Sequence, residues 1–294
     1  MMTVEFCEKW LSDFWESANK SNLKIPFYLA AHLRLTLQAV RCMYRLPPLQ
    51  ASLSDGPEGI AIRESLERIC LAKLFRLGKT GACVLSIPPI SSEYSLGSSK
   101  QTLRRKVRSA LKSGVTCREV TDLKQQKYLS ELVNRAERNN CSQLHRNDRA
   151  DCVALVGFGL WTAAFDENGE PLTVAITPTD GEFALLQKFI SLGKAQQHSD
   201  ARYILHQAVV ERLSNHKVRY LVDTRSPAEL PNGLRHFQRM LGFRISRIHL
   251  SRASSVYSRS RATRAVRLAT LASHSAKFTT SCGLLYANTM TAVL

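Results

Sequence analysis

Between Val153 and Leu250 the sequence passes through strand, strand, strand, helix, strand, helix and strand signals in unbroken order, which restricts the chain to a sheet with helices packed on it. Val153 to Phe165 is an apolar run rich in strand formers, closed by the polar turn Asp166-Glu-Asn-Gly169. Pro171 has no N–H to give to a ladder, so it opens the next strand, Leu172 to Thr177. Pro178-Thr-Asp-Gly181 turns the chain again, and Phe183 to Leu192 reads as a third strand with Leu185, Phe189 and Ile190 available to a core.

The period then lengthens to that of a helix. With Ser199 or Asp200 as N-cap, Ala201, Ile204, Leu205, Ala208, Val209 and Leu213 lay one apolar stripe along residues 201–214. Val218 to Asp223 is a short buried strand, predicted parallel to its predecessor because a crossover helix joins them. Beyond Pro227 and Pro231, Leu234, Phe237 and Leu241 space out a last short helix. Gly242 ends it as a C′ residue, and Phe243 to Leu250 alternates as a closing strand.

These residues carry a resemblance. Leu234-Arg-His-Phe-Gln-Arg-Met-Leu-Gly-Phe243 is similar to the last helix and strand start of the GNAT superfamily. Tyr203-Ile-Leu-His-Gln-Ala-Val-Val, Arg219 to Asp223, and the basic helix Leu103–Gly114 with Val115–Val120 resemble the FemAB-like branch of that fold. The resemblance implies an α/β (mixed α+β) fold, a GNAT-like mixed sheet with flanking helices. It also implies transfer of an acetyl or aminoacyl group from acyl-CoA (acetyl-CoA) or aminoacyl-tRNA to an amine-bearing acceptor.

Such a fold holds a pyrophosphate on backbone N–H groups at a helix N-terminus. The family's loop has Gln or Arg, two residues, Gly, one residue, then Gly or Ala. Gln196, Ser199 and Ala201 reproduce that spacing with Ser in place of the central Gly. The resemblance thereby makes Lys194, Gln196, Gln197, Ser199 and Ala201 the cofactor-binding candidates, with Asp200 adding a negative charge beside any anion. Catalysis by this fold further needs a splayed sheet that exposes a backbone N–H, and often a tyrosine that protonates the leaving thiolate. Phe237 and Gln238 stand nearest that tyrosine's place, so Tyr203, His206 and His236 are the candidates for proton transfer. Asp223, at the C-terminal end of a strand, is a further catalytic candidate or a cap of the following loop.

Composition bounds the partners. A formal charge of +17 and an isoelectric point near 9.8 imply a polyanion such as tRNA, other nucleic acid, an anionic membrane surface or a phosphorylated cofactor. Six of the seventeen charges, Arg252, Arg259, Arg261, Arg264, Arg267 and Lys277, lie in a Ser-, Thr- and Ala-rich tail that has no acid, residues 252–294, read as disordered. A second basic cluster, Arg104, Arg105, Lys106, Arg108 and Lys112, covers the polar side of the helix whose apolar stripe is Leu103, Val107, Ala110 and Leu111.

Phe6, Trp10, Leu11, Phe14 and Trp15 share one face of an N-terminal helix, Ile25 to Leu46 is a second, and Ile60 to Leu77 a third, before a strand from Ala82 to Ile87. Arg34, Arg41 and Arg45 interrupt the second helix too often for a transmembrane span, and no basic region followed by a long apolar stretch marks a signal peptide. Eight cysteines without a C-x-x-C pair or His at ligand spacing argue against a metal site and fit a reducing cytoplasm. Cys141 and His145, four apart, are a weak nucleophile–base pair in a loop marked by Asn139-Asn140.

The resulting expectation is a cytoplasmic acyltransferase. It has a mainly helical N-terminal region (1–94), a GNAT-like domain (95–251) and a basic tail (252–294). The competing reading is a non-catalytic GNAT-fold protein that binds nucleic acid or another polyanion.

Overall fold

The computed structural model describes residues 3–21, 23, 25–69, 79–139, 151–225, 230 and 232–252. Helices α1 (Val4–Lys20), α2 (Ile25–Ala31) and α3 (Leu33–Arg45) lead into strand β1 (Pro48–Leu53), helix α4 (Pro57–Ile69) and strand β2 (Lys79–Ser86). Then follow α5 (Gln101–Lys112), β3 (Thr116–Glu119), α6 (Leu123–Arg138), β4 (Leu160–Phe165), β5 (Pro171–Thr177), β6 (Thr179–Asp180), β7 (Phe183–Leu186) and β8 (Lys188–Ser191). The described residues end with α7 (Gln196–Asn215), β9 (Tyr220–Asp223), α8 (Asn232–Leu241) and β10 (Arg244–Arg252).

The strands form two sheets, one of six strands in the order β1-β10-β2-β9-β7-β6 and one of four in the order β3-β4-β5-β8. One face of both sheets is covered by α5, α7 and α8, whose Leu103, Val107, Leu205, Val209, Phe237 and Leu241 pack with Leu186 and Leu221. On the opposite face, Ile62 and Leu66 of α4 meet Val84, Leu185 and Val222 of the six-stranded sheet, while Leu129 and Val133 of α6 meet Trp161, Val174 and Ile176 of the four-stranded one. Leu185 and Leu186 thus go to different cores, as the two-residue strand period requires. The first three helices make their own apolar cluster, including Cys7, Leu11, Phe14 and Cys42, joined to the sheet at Ile245.

Several sequence expectations are met. Pro171 opens β5, β9 runs parallel to β7, and the basic helix is α5. Gly242 takes φ 95°, the left-handed C′ conformation that brings the Phe243 N–H back to Gln238 O at 3.0 Å. Others are corrected. The expected strand from Val153 begins only at Leu160: Val153–Leu155 is a 3₁₀ turn drawn toward the Trp161 indole, which donates to Leu155 O and Phe158 O at 3.3 and 3.1 Å. Gly159 (φ 67°) bends the run where a Cβ would meet the Pro178 backbone at 2.7 Å.

The single third strand is two, β7 and β8, in different sheets. The expected closing strand is present as β10. β10 lies between β1, parallel to it, and β2, antiparallel to it. The helix expected from Ile60 starts earlier, at Pro57, and the strand expected from Ala82 starts at Lys79.

The 1–94 region is mainly helical and also supplies two strands to the six-stranded sheet. The boundary drawn at residue 94 falls inside the 3₁₀ turn Ser91–Ser95. Arg252 ends β10; the rest of the expected tail and the Cys141–His145 pair lie outside the described residues. Among the described residues no group of three or more metal-binding side chains comes together, and no helix is long and apolar enough to cross a membrane.

Candidate functional site at the split between the sheets

The run Phe183–Ser191 changes sheets at Gln187. Its first half pairs parallel with β9, from Phe183 opposite Tyr220 to Leu186 opposite Asp223. Its second half pairs antiparallel with β5, Lys188 opposite Ile176 to Ser191 opposite Thr173. The Gln187 N–H is shared between Leu185 O at 2.9 Å and Ile176 O at 3.0 Å, a tight local turn that swings the strand from one sheet to the other. Past Leu186 and Asp223 the two parallel strands therefore part.

Among the described residues β8 is the edge strand of its sheet on the open side. Leu192 N–H donates to Leu172 O at 2.9 Å, and the alternation of an antiparallel ladder turns the N–H groups of Phe189 and Ser191 the other way, into the opening. This is the splay that the sequence resemblance led us to expect.

α7 starts beside this opening, and it starts earlier than expected. Its N-cap is Ala195, which has no side chain to cap the helix, and the first intrahelical bond is Ser199 N–H to Ala195 O at 3.2 Å. The N–H groups of Gln196, Gln197 and His198 precede that bond, so three donors and the positive end of a 20-residue helix point out of the N-terminus. Lys194, Gln196 and Ser199 are exposed and Ala201 is buried. The Gln196 and Gln197 side chains turn back to Asp200 Oδ1 (2.8 Å) and Ser113 O (3.3 Å), which leaves the backbone as the donor set.

Asp200, read from sequence as an N-cap or as a repelling charge, is neither. Four residues into α7, it accepts from Lys106 Nζ (2.8 Å), Ser109 Oγ (2.7 Å) and Gln196 Nε2 (2.8 Å). Burial pushes its carboxyl up, but these three hydrogen bonds and the Lys106 charge outweigh burial and hold it below the usual carboxylate range. Its charge is neutralised by α5. Arg105, Arg108 and Lys112 stay exposed on the same helix.

Asp223 closes the paired half of the split. It is buried, and its carboxylate accepts from Arg225 N–H at 2.7 Å and Gln238 Nε2 at 2.5 Å. Burial pushes its carboxyl up to about 6, against the lowering effects of the Arg225 N–H and charge and of Gln238. Both readings made from sequence, a cap of the next turn and a carboxylate at a strand end, describe this geometry.

The other candidates separate. Tyr203 packs edge-on against Phe237 with ring centroids 5.1 Å apart, and the Arg202 guanidinium sits 4.2 Å over the other ring partner, Phe237. Burial raises the Tyr203 hydroxyl, and Asp200 and Lys106 are among the charges that act on it. Phe237 also meets Phe189 of β8 at 6.2 Å, which ties α8 to the open strand.

His206 lies in the core between Phe189 and Phe243, with Nδ1 at 3.0 Å from the Tyr94 hydroxyl. That hydroxyl donates to Leu241 O at 2.8 Å, so it accepts from His206 Nδ1–H. Burial, reinforced by Lys100, lowers the imidazole to about 3, so the ring is neutral at physiological pH. Lys100 itself donates to Leu241 O and sits 4.4 Å over the Tyr94 ring; burial, with Arg244 nearby, lowers it to about 8. His236 is exposed on α8. Sequence reasoning missed Ser109 and Tyr94 and gave Lys106 and Gln238 no part in the site, because each acts on a residue distant in the chain.

No family model matches the chain, and no curated protein matches it. Similar solved structures include L-PGS from Bacillus licheniformis, 10% identical with a TM-score of 0.42, covering 57% of this chain and 58% of that one. Another is the C-terminal domain of a putative lysylphosphatidylglycerol synthetase from Agrobacterium fabrum, 12% identical with a TM-score of 0.41, covering 57% of each chain. FemX is 13% identical with a TM-score of 0.44, covering 60% of this chain and 61% of that one. The chain spans less than two thirds of the length of each. Its own strand order, the parting of two parallel strands and the helix N-terminus beside them give it a mixed α+β, GNAT-like fold.

Proposed function

We propose that the chain is an acyltransferase that moves an acetyl or aminoacyl group from acyl-CoA or aminoacyl-tRNA to an amine, with the reacting centre in the opening between β8 and β9. The observation that carries this reading is the strand split at Gln187 beside an uncapped helix N-terminus. An activated donor supplies a carbonyl carbon with a good leaving group and a phosphate-rich handle. The donor set suits that handle: the N–H groups of Gln196, Gln197 and His198 offer anion contacts, Asp200 is already neutralised by Lys106, and Ser199 is exposed.

The outward N–H groups of Phe189 and Ser191 are suited to polarise an acyl carbonyl laid along β8. Asp223 is the base in this reading. Its carboxyl near 6 is ionised at neutral pH and takes the proton that the acceptor amine gives up as nitrogen bonds to the carbonyl carbon. Tyr203 is the acid, protonating the sulfur or oxygen released when the donor bond breaks. His206, neutral and enclosed, holds Tyr94 and the end of α8 instead. The division of the chain at residues 94 and 251 and a cytoplasmic location belong to the same proposal.

Calorimetric titration of acetyl-CoA and free CoA into the full chain, over a salt series, tests it. Saturable one-site binding that survives salt and is lost on Ser199→Trp supports the acyl-CoA enzyme. No saturable binding would remove acyl-CoA as donor; aminoacyl-tRNA would then be assayed directly. Polyanion binding with a steep salt dependence and no transfer would favour the non-catalytic reading, for which the exposed Arg105, Arg108 and Lys112 of α5 speak.

A further inference from the structure

α3 buries one face and leaves the opposite one bare. Ala39 and Cys42 enter the apolar cluster of the first three helices, while Leu33, Leu37, Val40 and Tyr44 are 60%, 60%, 48% and 52% exposed. Their spacing of four, three and four residues confines all four to an arc of about 60° at 3.6 residues per turn. Arg34, Arg41 and Arg45 project from one flank of that arc, and Arg247 of β10 adds a cation 5.9 Å from the Tyr44 ring while donating to Tyr44 O at 2.8 Å. Just before α3, Phe27 of α2 is 61% exposed.

The charge around this stripe is one-sided. Between Glu16 and Asp55 the sequence has no acidic residue and five basic ones, Lys20, Lys24, Arg34, Arg41 and Arg45. The acids of neighbouring α1 that form ion pairs engage other elements as well: Glu8 pairs with Arg244 at 3.3 Å, and Glu16 with Lys20 and Arg239 at 2.8 and 3.1 Å.

We infer that α3 is a docking face for an anionic lipid bilayer, lying in the plane of the interface. Leu33, Leu37 and Val40 enter the boundary between headgroups and acyl chains, Tyr44 sits at headgroup depth with its ring apolar and its hydroxyl wet, and the arginines pair with lipid phosphates. A second copy of the chain fits less well. The stripe has a zipper's spacing, but two α3 helices face to face would bring their arginines together with no acid on either helix to answer them. Nucleic acid would use the arginines and leave the leucines in water.

The test is co-sedimentation of the full chain with vesicles of phosphatidylcholine alone and with about a third phosphatidylglycerol, alongside Leu37→Gln/Val40→Gln and Arg34→Gln/Arg41→Gln/Arg45→Gln. All five side chains are exposed, and unchanged thermal unfolding verifies the fold of both variants. Binding to the anionic vesicles is expected to fall at least about tenfold on removing the two apolar residues at constant charge. The triple variant should lose roughly fivefold per arginine. The inference is overturned if Leu37→Gln/Val40→Gln binds as tightly as the original chain, since charge elsewhere would then suffice. It is equally overturned if light scattering finds a dimer that the same substitution dissolves.

Discussion

The two halves of the Phe183–Ser191 run differ in everything except sequence style. Phe183–Leu186 is buried at every residue and hydrogen-bonded on both sides, between β6 and β9; Lys188–Ser191 is half-buried throughout and, among the described residues, pairs with a strand on one side only. One half holds the six-stranded sheet together. The other is left as a presented edge, with Phe189 reaching the helices and its backbone facing the opening. A cooperative fold ordinarily tolerates such an edge at its rim; here it lies in the middle, between two cores that each have their own helix cover. That placement separates the residues that stabilise from those free to act.

The widest gap should appear in unfolding free energy. Leu185→Ala, at a fully enclosed site, is expected to cost about 2–5 kcal/mol by urea titration, whereas Ile190→Ala on the half-buried edge should cost less than about 2 kcal/mol. Equal losses would mean that the edge is as structural as the centre.

The pH dependence of stability sharpens the contrast further. Asp223 is raised in the fold to about 6 from 3.8, so the native state binds its proton more tightly and stability falls as pH rises through that window. His206 is lowered to about 3 from 6.5, so between those values the unfolded state binds more protons and stability rises with pH. The two oppose each other between about pH 4 and 6. Asp223→Asn should therefore leave a rising slope and His206→Gln a falling one, a divergence of several kcal/mol across that range by chemical denaturation at stepped pH. If Asp223→Asn also keeps its stability at pH 7 but loses transfer activity, the carboxylate serves chemistry rather than the turn.

Much of this was legible in the sequence. Pro171 and Gly242 each admit one placement, and the change of period after Leu192 announced the helix. The split was not legible, because Phe183-Ala-Leu-Leu-Gln-Lys-Phe-Ile-Ser passes through Gln187 without a glycine or proline to mark it. β1 and β2 have strand signals of ordinary strength, yet their partner β10 is well over a hundred residues away in the chain, a pairing that local patterns do not encode. α6 went unread because its polar residues crowd a narrow apolar stripe. Asp200 has the residue type and position of an N-cap, and only Lys106 and Ser109, brought over by α5, show that it is the interior anchor of two helices.

That anchor gives the next expected effect. Asp200→Asn leaves Lys106, three-quarters buried, without its counter-charge and should cost about 1–3 kcal/mol at pH 7. Asp200 is lowered in the fold, so its contribution is present above its unfolded value of 3.8 and lost as pH falls through the folded one. The variant and the original chain should therefore converge in stability at the acid end, and a gap that persists there would assign the loss to packing. The same variant would free Lys106 beside the α7 N-terminus, so phosphate affinity in calorimetry should rise while stability drops.

The smallest expected change in stability is at Tyr203. Its ring is held by Phe237, so Tyr203→Phe keeps the packing, and the hydroxyl makes no hydrogen bond within the described residues. Thermal unfolding should shift by less than about 0.5 kcal/mol. A donor that protonates the leaving group gains nothing for the resting fold and everything in turnover, so the same variant should lose transfer rate by about a hundredfold with little change in donor affinity. Asp223→Asn and Tyr203→Phe would then fall together on one side of the comparison, silent in stability at neutral pH and loud in rate, with Leu185 and Asp200 on the other. A Tyr203→Phe variant that unfolds earlier and turns over normally would move the tyrosine across that line and leave the opening between β8 and β9 without its acid.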